Sequence, residues 1–482
     1  MNKTDVRLPR KGKSKTEVLK EMRAFAQGDA DYRGAKTWSL VYYLGDEHTK
    51  FLHEAYGLFF SENALNPMAF LSLKRMEAEV VRMAAGLLRG DANVVGTMTS
   101  GGTESCMLAV KTARDRARRR KRWLKPEMVV PVSVHVAFRK AAEYFGVKAV
   151  YAPLGKNYRV DARAVKKLIN RNTVLIVGSA PSYPHGMIDP IEDLARLAQR
   201  RDIPLHVDSC LGGFLLPFVE KLGYAIPPFD FRVPGVTSMS ADVHKYGYAA
   251  KGASVILYRD MDHLKHQFFI CDDWPGGVFA SPALLGTRPG GAIAAAWAAM
   301  QSLGEDGYLK AAKTTMETTR RLIDGIQAIP PLRVIAKPHM SVFAYESTSP
   351  ELGVFAVGDQ MEKRGWNIDR VQRPDGLHAM VTPRHAAVVE QYLADLRASV
   401  DEVRRHPELA ERGGAAMYGI IAHIPLRGMI RNEMMKMMED MYGPEGQMPP
   451  LAEGPPDDLA TKAGLMFLRL RKELARKLGR KS

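Results

Sequence analysis

Cysteine is scarce in this chain. Cys106, Cys210 and Cys271 are the only three among 482 residues, too few for a disulfide framework, and no two stand at a metal-ligand spacing. Reduced thiols and no structural metal are expected. Long apolar runs are also missing. No window approaches eighteen uninterrupted apolar residues, which argues against a transmembrane helix. The first thirty residues contain neither an apolar stretch nor a small-residue cleavage site, so a secretory signal is not expected and the chain reads as cytoplasmic. There is no internal repeat. Acid is in deficit, with 53 Asp and Glu against 69 Lys and Arg and a net charge of +16. A field of that sign attracts phosphorylated small molecules, anionic lipid surfaces and nucleic acid alike, so charge alone does not choose among them.

What is present fits a large soluble chain, 46% hydrophobic and 25% charged, longer than one core can serve. Residues 1–95 read as a basic N-terminal arm followed by a helical segment, with apolar residues at helical spacing from Met76 to Leu87. Residues 96–310 read as a large domain. There, runs such as Val174-Leu175-Ile176-Val177 and Pro204-Leu205-His206-Val207 alternate with helical stretches, the pattern of a buried, mostly parallel sheet in an α/β fold. Residues 311–442 read as a smaller α+β C-terminal domain. Residues 443–482 read as a Gly/Pro linker and a basic amphipathic tail, in first place a solvated helix and in second a membrane-surface or partner contact. The basic run Arg114 to Arg122 has no interleaved aromatics and is expected to be a solvated helix face rather than a nucleic-acid site.

Three constellations carry chemistry. Thr99-Ser100-Gly101-Gly102-Thr103-Glu104-Ser105 opens a helix; its glycines admit close approach to the backbone, and the helix start presents free N–H groups to an anion, or the segment is simply a turn. It matches neither a Walker A loop nor a Rossmann GxGxxG. In His206-Val207-Asp208 a carboxylate ends a buried strand, where it needs a cationic or N–H partner or else caps the next helix. In Ser240-Ala241-Asp242-Val243-His244-Lys245 a lysine lies between two strands. A Schiff-base lysine needs a lowered pKa, and His244 and Lys251 are expected to supply it. Phosphate cup, ring-nitrogen partner and Schiff-base lysine, in that chain order, point to pyridoxal 5′-phosphate (PLP).

These segments, together with Ala180-Pro181-Ser182-Tyr183-Pro184-His185-Gly186 and Gly286-Thr287-Arg288-Pro289-Gly290-Gly291, closely resemble those of sphingosine-1-phosphate lyases. The resemblance runs from about Trp38 to Tyr442. It implies the fold type I PLP-dependent transferase-like architecture, a homodimer with active sites at the subunit interface, and retro-aldol cleavage of a phosphorylated long-chain 2-amino-3-hydroxy base. Carried over residue by residue, it implies His135 on the pyridine ring, Asp208 on the ring nitrogen and Lys245 as the cofactor lysine. Gly102, Thr103 and His244 would lie at the cofactor phosphate, with Gly286 and Thr287 reaching it from the partner. Tyr183 and Lys251 fall near the reacting carbons, and Tyr42 and Asn63 at the substrate phosphate. The family's usual Asn-Pro-Leu-His-Pro is Asn63-Ala64-Leu65-Asn66-Pro67 here, so an amide that donates without bringing charge replaces a histidine. That change keeps α-decarboxylation of an amino acid open as an alternative. A degenerate PLP fold serving as a scaffold is the third reading.

Overall fold

The structure is a computed structural model that describes residues 7–120, 125–423, 427–444 and 446. The linker and tail expected over 443–482 fall almost wholly outside them, as do Lys121 and Arg122 of the basic run. Chain order begins with α1 (Lys15–Phe25), α2 (Asp46–Leu58) and α3 (Leu71–Leu87). The N-terminal arm thus contains a helix: α1 carries a Ser14–Glu17 capping box and buries no residue.

Strands and helices then alternate: β1 (Val95–Thr99), α4 (Gly102–Arg120), β2 (Glu127–Pro131), α5 (Val136–Phe145), β3 (Lys148–Ala152), α6 (Ala162–Leu168), β4 (Thr173–Ser179), α7 (Ile191–Gln199), β5 (Leu205–Asp208), α8 (Leu216–Lys221), β6 (Val236–Ala241) and β7 (Ser254–Tyr258). The seven strands form one sheet in the order β1-β7-β6-β5-β4-β2-β3. Only β7 runs against the others. Strands β2, β4, β5 and β7 are buried along their whole length, which is why they read as continuous apolar runs. Strand β6, Val-Thr-Ser-Met-Ser-Ala, does not read so. Its hydroxyls are satisfied inside the sheet, where Ser238 Oγ and Ser240 Oγ bond to the two ring nitrogens of His206 on β5 at 2.9 and 3.2 Å.

After α9 (Met261–Leu264), β8 (Phe269–Cys271) and β9 (Phe279–Ser281) pair as a hairpin, and α10 (Gly290–Gln327) follows. Helix α10 is broken at Gly304, whose φ of 58° and ψ of −175° suit a residue without a β-carbon. The boundary expected at residue 310 falls inside α10. Its C-terminal half, with Leu322 and Ile326, joins a second core with Trp38, Phe343, Trp366 and Leu396. That core packs under the antiparallel sheet of β10 (Leu332–Val334), β11 (Val342–Ser347), β12 (Asp369–Val371) and β13 (Gly376–Met380), with α11 (Val354–Lys363), α12 (Val389–Arg405), α13 (Gly413–His423) and α14 (Arg427–Tyr442) completing the elements among the described residues.

The register of the large sheet positions the site. Ser179 on β4, Asp208 on β5 and Ser240 on β6 share one rung at the carboxyl ends of their strands. Every loop that leaves this edge therefore starts from the same level, the usual place for a ligand in an open α/β sheet.

Candidate active site

Asp208 is the last residue of β5 and is buried. Its Oδ1 accepts from the Cys210 N–H at 3.1 Å and from Ser240 Oγ at 3.3 Å. No hydrogen bond among the described residues reaches Oδ2. The carboxylate is thus fixed through one oxygen, and Ser240 links it onward to His206. The same end of the sheet gathers Cys106, Asp208 and Cys210, whose ligand atoms lie within 4.8 Å of one another.

Lys245 stands in the turn after β6. Its Nζ lies 2.9 Å from Asp242 Oδ2, and Asp242 is almost wholly buried. The contact is an ion pair rather than an aligned hydrogen bond, since both Asp242 oxygens lack a well-directed partner among the described residues. This corrects the sequence expectation for Lys245. Burial works against its ammonium, but the groups around it, Asp242 first among them, together outweigh burial and hold it well above the ordinary lysine value. The cations expected to depress it are weaker neighbours: burial pushes His244 down to about 4, so its ring is neutral at pH 7. The depressed lysine is Lys251, which opens onto the cleft while burial by the surrounding walls, and then Lys245, bring it down to about 8. Its Nζ donates to Leu40 O at 2.8 Å and stands 5.2 Å from the centre of the Tyr42 ring. Asp242, which burial would raise but Lys245 and His244 hold below the ordinary carboxylate value, thus keeps Lys245 charged.

Gly102 opens α4 against this group. A β-carbon there would stand 2.6 Å from Asp242 Oδ2 and 2.8 Å from Cys210 Sγ, and one on Gly101 would touch the His244 ring at 3.4 Å. The start of α4 therefore packs this closely on Asp242 and Cys210 only because Gly102 has no β-carbon. Glu104 secures it from below, accepting from Ser100 N–H and Oγ at 2.7 Å each and from Leu284 N–H at 2.9 Å. His135 caps α5, its Nδ1 accepting the Ala137 N–H at 3.2 Å. It is open on the cleft side, yet the protein packed around the rest of the ring lowers its pKa, and the charges of Asp208, Lys245 and Asp242 all act on it.

Tyr183, in the loop after β4, donates from Oη to Asp369 Oδ2 at 2.9 Å and feels Lys245. Tyr42 is buried beside the same lysine, and its hydroxyl reaches Met380 Sδ at 3.3 Å. The fold thus gathers Tyr42, Gly102, His135, Tyr183, Asp208, His244, Lys245 and Lys251 at one edge of the sheet. It does not bring in Asn63, Asn66, Gly286 or Thr287. Asn63 Oδ1 and Asn66 Oδ1 accept N–H groups of their own loop, from Leu65 and Met68 at 3.0 Å each. Asn66, Gly286 and Thr287 are exposed, and the two loops adjoin, a β-carbon on Gly286 coming to 3.8 Å from Leu65. Reading the sequence also missed His206, Ser240, Asp242, Asp369 and His378. Asp242 carried a signal, one helical turn before Lys245; Asp369 and His378 carried none.

The pyridoxal-dependent decarboxylase conserved domain matches residues 63–347. The sphingosine-1-phosphate lyase of Oryza sativa subsp. japonica is 46% identical over 90% of this chain and 81% of its own length. That of Dictyostelium discoideum is 44% identical over 92% and 85%. The chain belongs to the sphingosine-1-phosphate lyase family. A solved family structure, the lyase of Burkholderia pseudomallei, is 39% identical with a TM-score of 0.82, covering 91% of this chain and 97% of that one. Glutamate decarboxylase of Lactobacillus brevis, 20% identical with a TM-score of 0.73 over 83% of this chain and 95% of its own, shares the fold. The expected fold type I architecture is thereby borne out, as is a PLP-dependent lyase. The site fits that cofactor on its own terms: a glycine cradle at a helix start, a buried carboxylate with one oxygen uncommitted, and a lysine between them. Among the described residues no helix is long and apolar enough to cross a membrane.

Proposed function

We propose that this chain cleaves the C2–C3 bond of a phosphorylated long-chain 2-amino-3-hydroxy base, such as sphingosine 1-phosphate, to a long-chain aldehyde and phosphoethanolamine. The observation that carries the reading is the meeting of Asp208, Lys245 and the Gly102 cradle at one end of the sheet, in a chain 46% identical to a sphingosine-1-phosphate lyase. When bound, PLP supplies the electron sink that accepts the pair released from the broken bond.

The protein's own tasks follow from the residues. Lys245 would hold the cofactor, and Asp242 keeps its ammonium in place until then. Gly102, Thr103 and His244 would receive the cofactor phosphate, His135 would cover the ring, and Asp208, through its uncommitted oxygen, would keep the ring nitrogen protonated. Lys251 and Tyr183 frame the reacting carbons. Tyr42 is assigned to the substrate phosphate of its own chain's site, and Asn63 and Asn66, which lie outside that site, to the substrate phosphate across the dimer, Asn66 through its amide Nδ2.

The loops of Asn66 and Gly286 lie on the surface of their own chain, which supports a homodimer in which Gly286 and Thr287 serve the partner's site. Leu65, Met68, Leu284 and Leu285 are exposed on those loops, an apolar surface of the kind that a second subunit covers. Incubating the holoenzyme with sphingosine 1-phosphate and measuring long-chain aldehyde tests the reading. Carbon dioxide release from amino acids without aldehyde would replace it with the decarboxylase alternative.

A further inference from the structure

Tyr183 is held at three points by one rung of the second sheet. Asp369 on β12 and His378 on β13 face each other as antiparallel partners. Asp369 Oδ2 accepts the Tyr183 hydroxyl hydrogen at 2.9 Å. The His378 ring stacks on the Tyr183 ring with centroids 4.3 Å apart and planes 25° apart, and its Nε2 donates to the Tyr183 carbonyl at 2.8 Å. Stacking and the backbone contact already fix the ring. The carboxylate adds something else, a proton acceptor behind the hydroxyl.

We propose that Asp369, acting through Tyr183, takes up the proton that leaves the C3 hydroxyl of the substrate. The inference rests on the functional reading above and names the base within it. A tyrosine that gives its own hydrogen to a carboxylate keeps the lone pairs of its oxygen for an incoming donor. Burial, and then Asp369, hold the phenol above its ordinary value, so Tyr183 takes a proton only by passing its own on. Lys251 is differently committed: its Nζ donates to Leu40 O at 2.8 Å and to His244 O at 3.4 Å, and at pH 7, below its value of about 8, most of it is the ammonium, which has no lone pair to receive a proton.

In the step itself, the C3 hydroxyl proton moves to Tyr183 Oη as the Tyr183 proton moves to Asp369 Oδ2. The O–H electron pair becomes the second bond of the aldehyde carbonyl, and the pair of the C2–C3 bond stays with C2. Return of the proton from Asp369 through Tyr183 to C2 completes phosphoethanolamine and restores the carboxylate, with no net proton gained or lost. Asp369 is thus a positioning and relay residue, contributed by the C-terminal sheet to chemistry on the large one.

The test is Asp369→Asn in the full-length holoenzyme, since asparagine keeps the shape and an acceptor oxygen but cannot take the proton. The kcat for aldehyde release from sphingosine 1-phosphate should fall about 100-fold, within the usual range for general-base catalysis. KM, cofactor absorbance near 420 nm and calorimetric affinity for phosphoethanolamine should stay as in wild type. Tyr183→Phe, which keeps the ring on His378, should lose as much, and the double variant no more than Tyr183→Phe alone. An Asp369→Asn enzyme with wild-type kcat, losses that multiply in the double variant, or a defect carried by KM or phosphoethanolamine affinity would each overturn the relay. A wild-type enzyme that releases no aldehyde overturns the functional reading itself, and the relay with it.

Discussion

A methyl group on Gly102 would collide with Asp242 Oδ2 and Cys210 Sγ, both closer than 3 Å, and neither can retreat: Asp242 is tied to Lys245 and Cys210 is buried. Gly102→Ala should therefore weaken PLP binding at least about 10-fold, equivalent to about 1.4 kcal/mol, read by titrating the cofactor against absorbance near 420 nm. Unchanged affinity would mean that the cradle is not where the cofactor sits. At this scale the motif residues were legible because each lies within a few positions of a strand end. The charge around Lys245 was not. Sequence neighbours suggested cations, whereas the buried carboxylate one turn earlier decides its protonation. Asp369 was invisible for a plainer reason, since nothing near residue 369 in the chain announces that its strand partner stacks on a tyrosine 195 positions away.

Among the elements, α3 and the segment entering α10 are joined by a buried ion pair. Arg288 Nη1 donates to Glu77 Oε1 at 2.6 Å, Met98 N–H donates to the same oxygen at 3.1 Å, and Arg288 Nη2 reaches Ala64 O at 3.2 Å. Arg288 thus fastens the strand β1, the Asn63 loop and the Gly286 loop to one another. Arg288→Met would leave buried Glu77 with only the Met98 N–H and the exposed Lys74 Nζ 3.9 Å away, a loss of up to about 3–5 kcal/mol, and the urea midpoint should drop accordingly. A midpoint within experimental error of wild type would remove this pair from the account. Strands β2, β3, β4, β5 and β7 were readable as apolar runs, but β6 was not. Its serines are buried because His206 on β5 needs partners, and a pairing across strands leaves no local trace in composition. The capping box of α1 and the break at Gly304 were likewise overlooked, although each has a local signal.

Over the whole molecule, burial sets the pH range of stability. His206 and His385 are buried neutral and held down to about 4, below the ordinary histidine value. The unfolded chain binds protons at these sites first, so stability is full above about pH 7 and is lost as pH falls towards 4, by about 2 kcal/mol for each residue at pH 5. Asp189, raised by burial to about 6, acts in the opposite sense and returns about 1 kcal/mol over the same interval. The denaturation midpoint should therefore be lower at pH 5 than at pH 8; an equal or higher midpoint would mean that the histidines are not buried neutral. The catalytic account is tested most directly by comparing sphingosine 1-phosphate with unphosphorylated sphingosine as substrates of the same holoenzyme. Long-chain aldehyde should appear with phosphoethanolamine in equal amounts from the phosphorylated base, with kcat/KM at least about 100-fold above the unphosphorylated one, as charged contacts to a phosphate are worth roughly 3 kcal/mol. Equal turnover of the two, or no aldehyde from either, would contradict it.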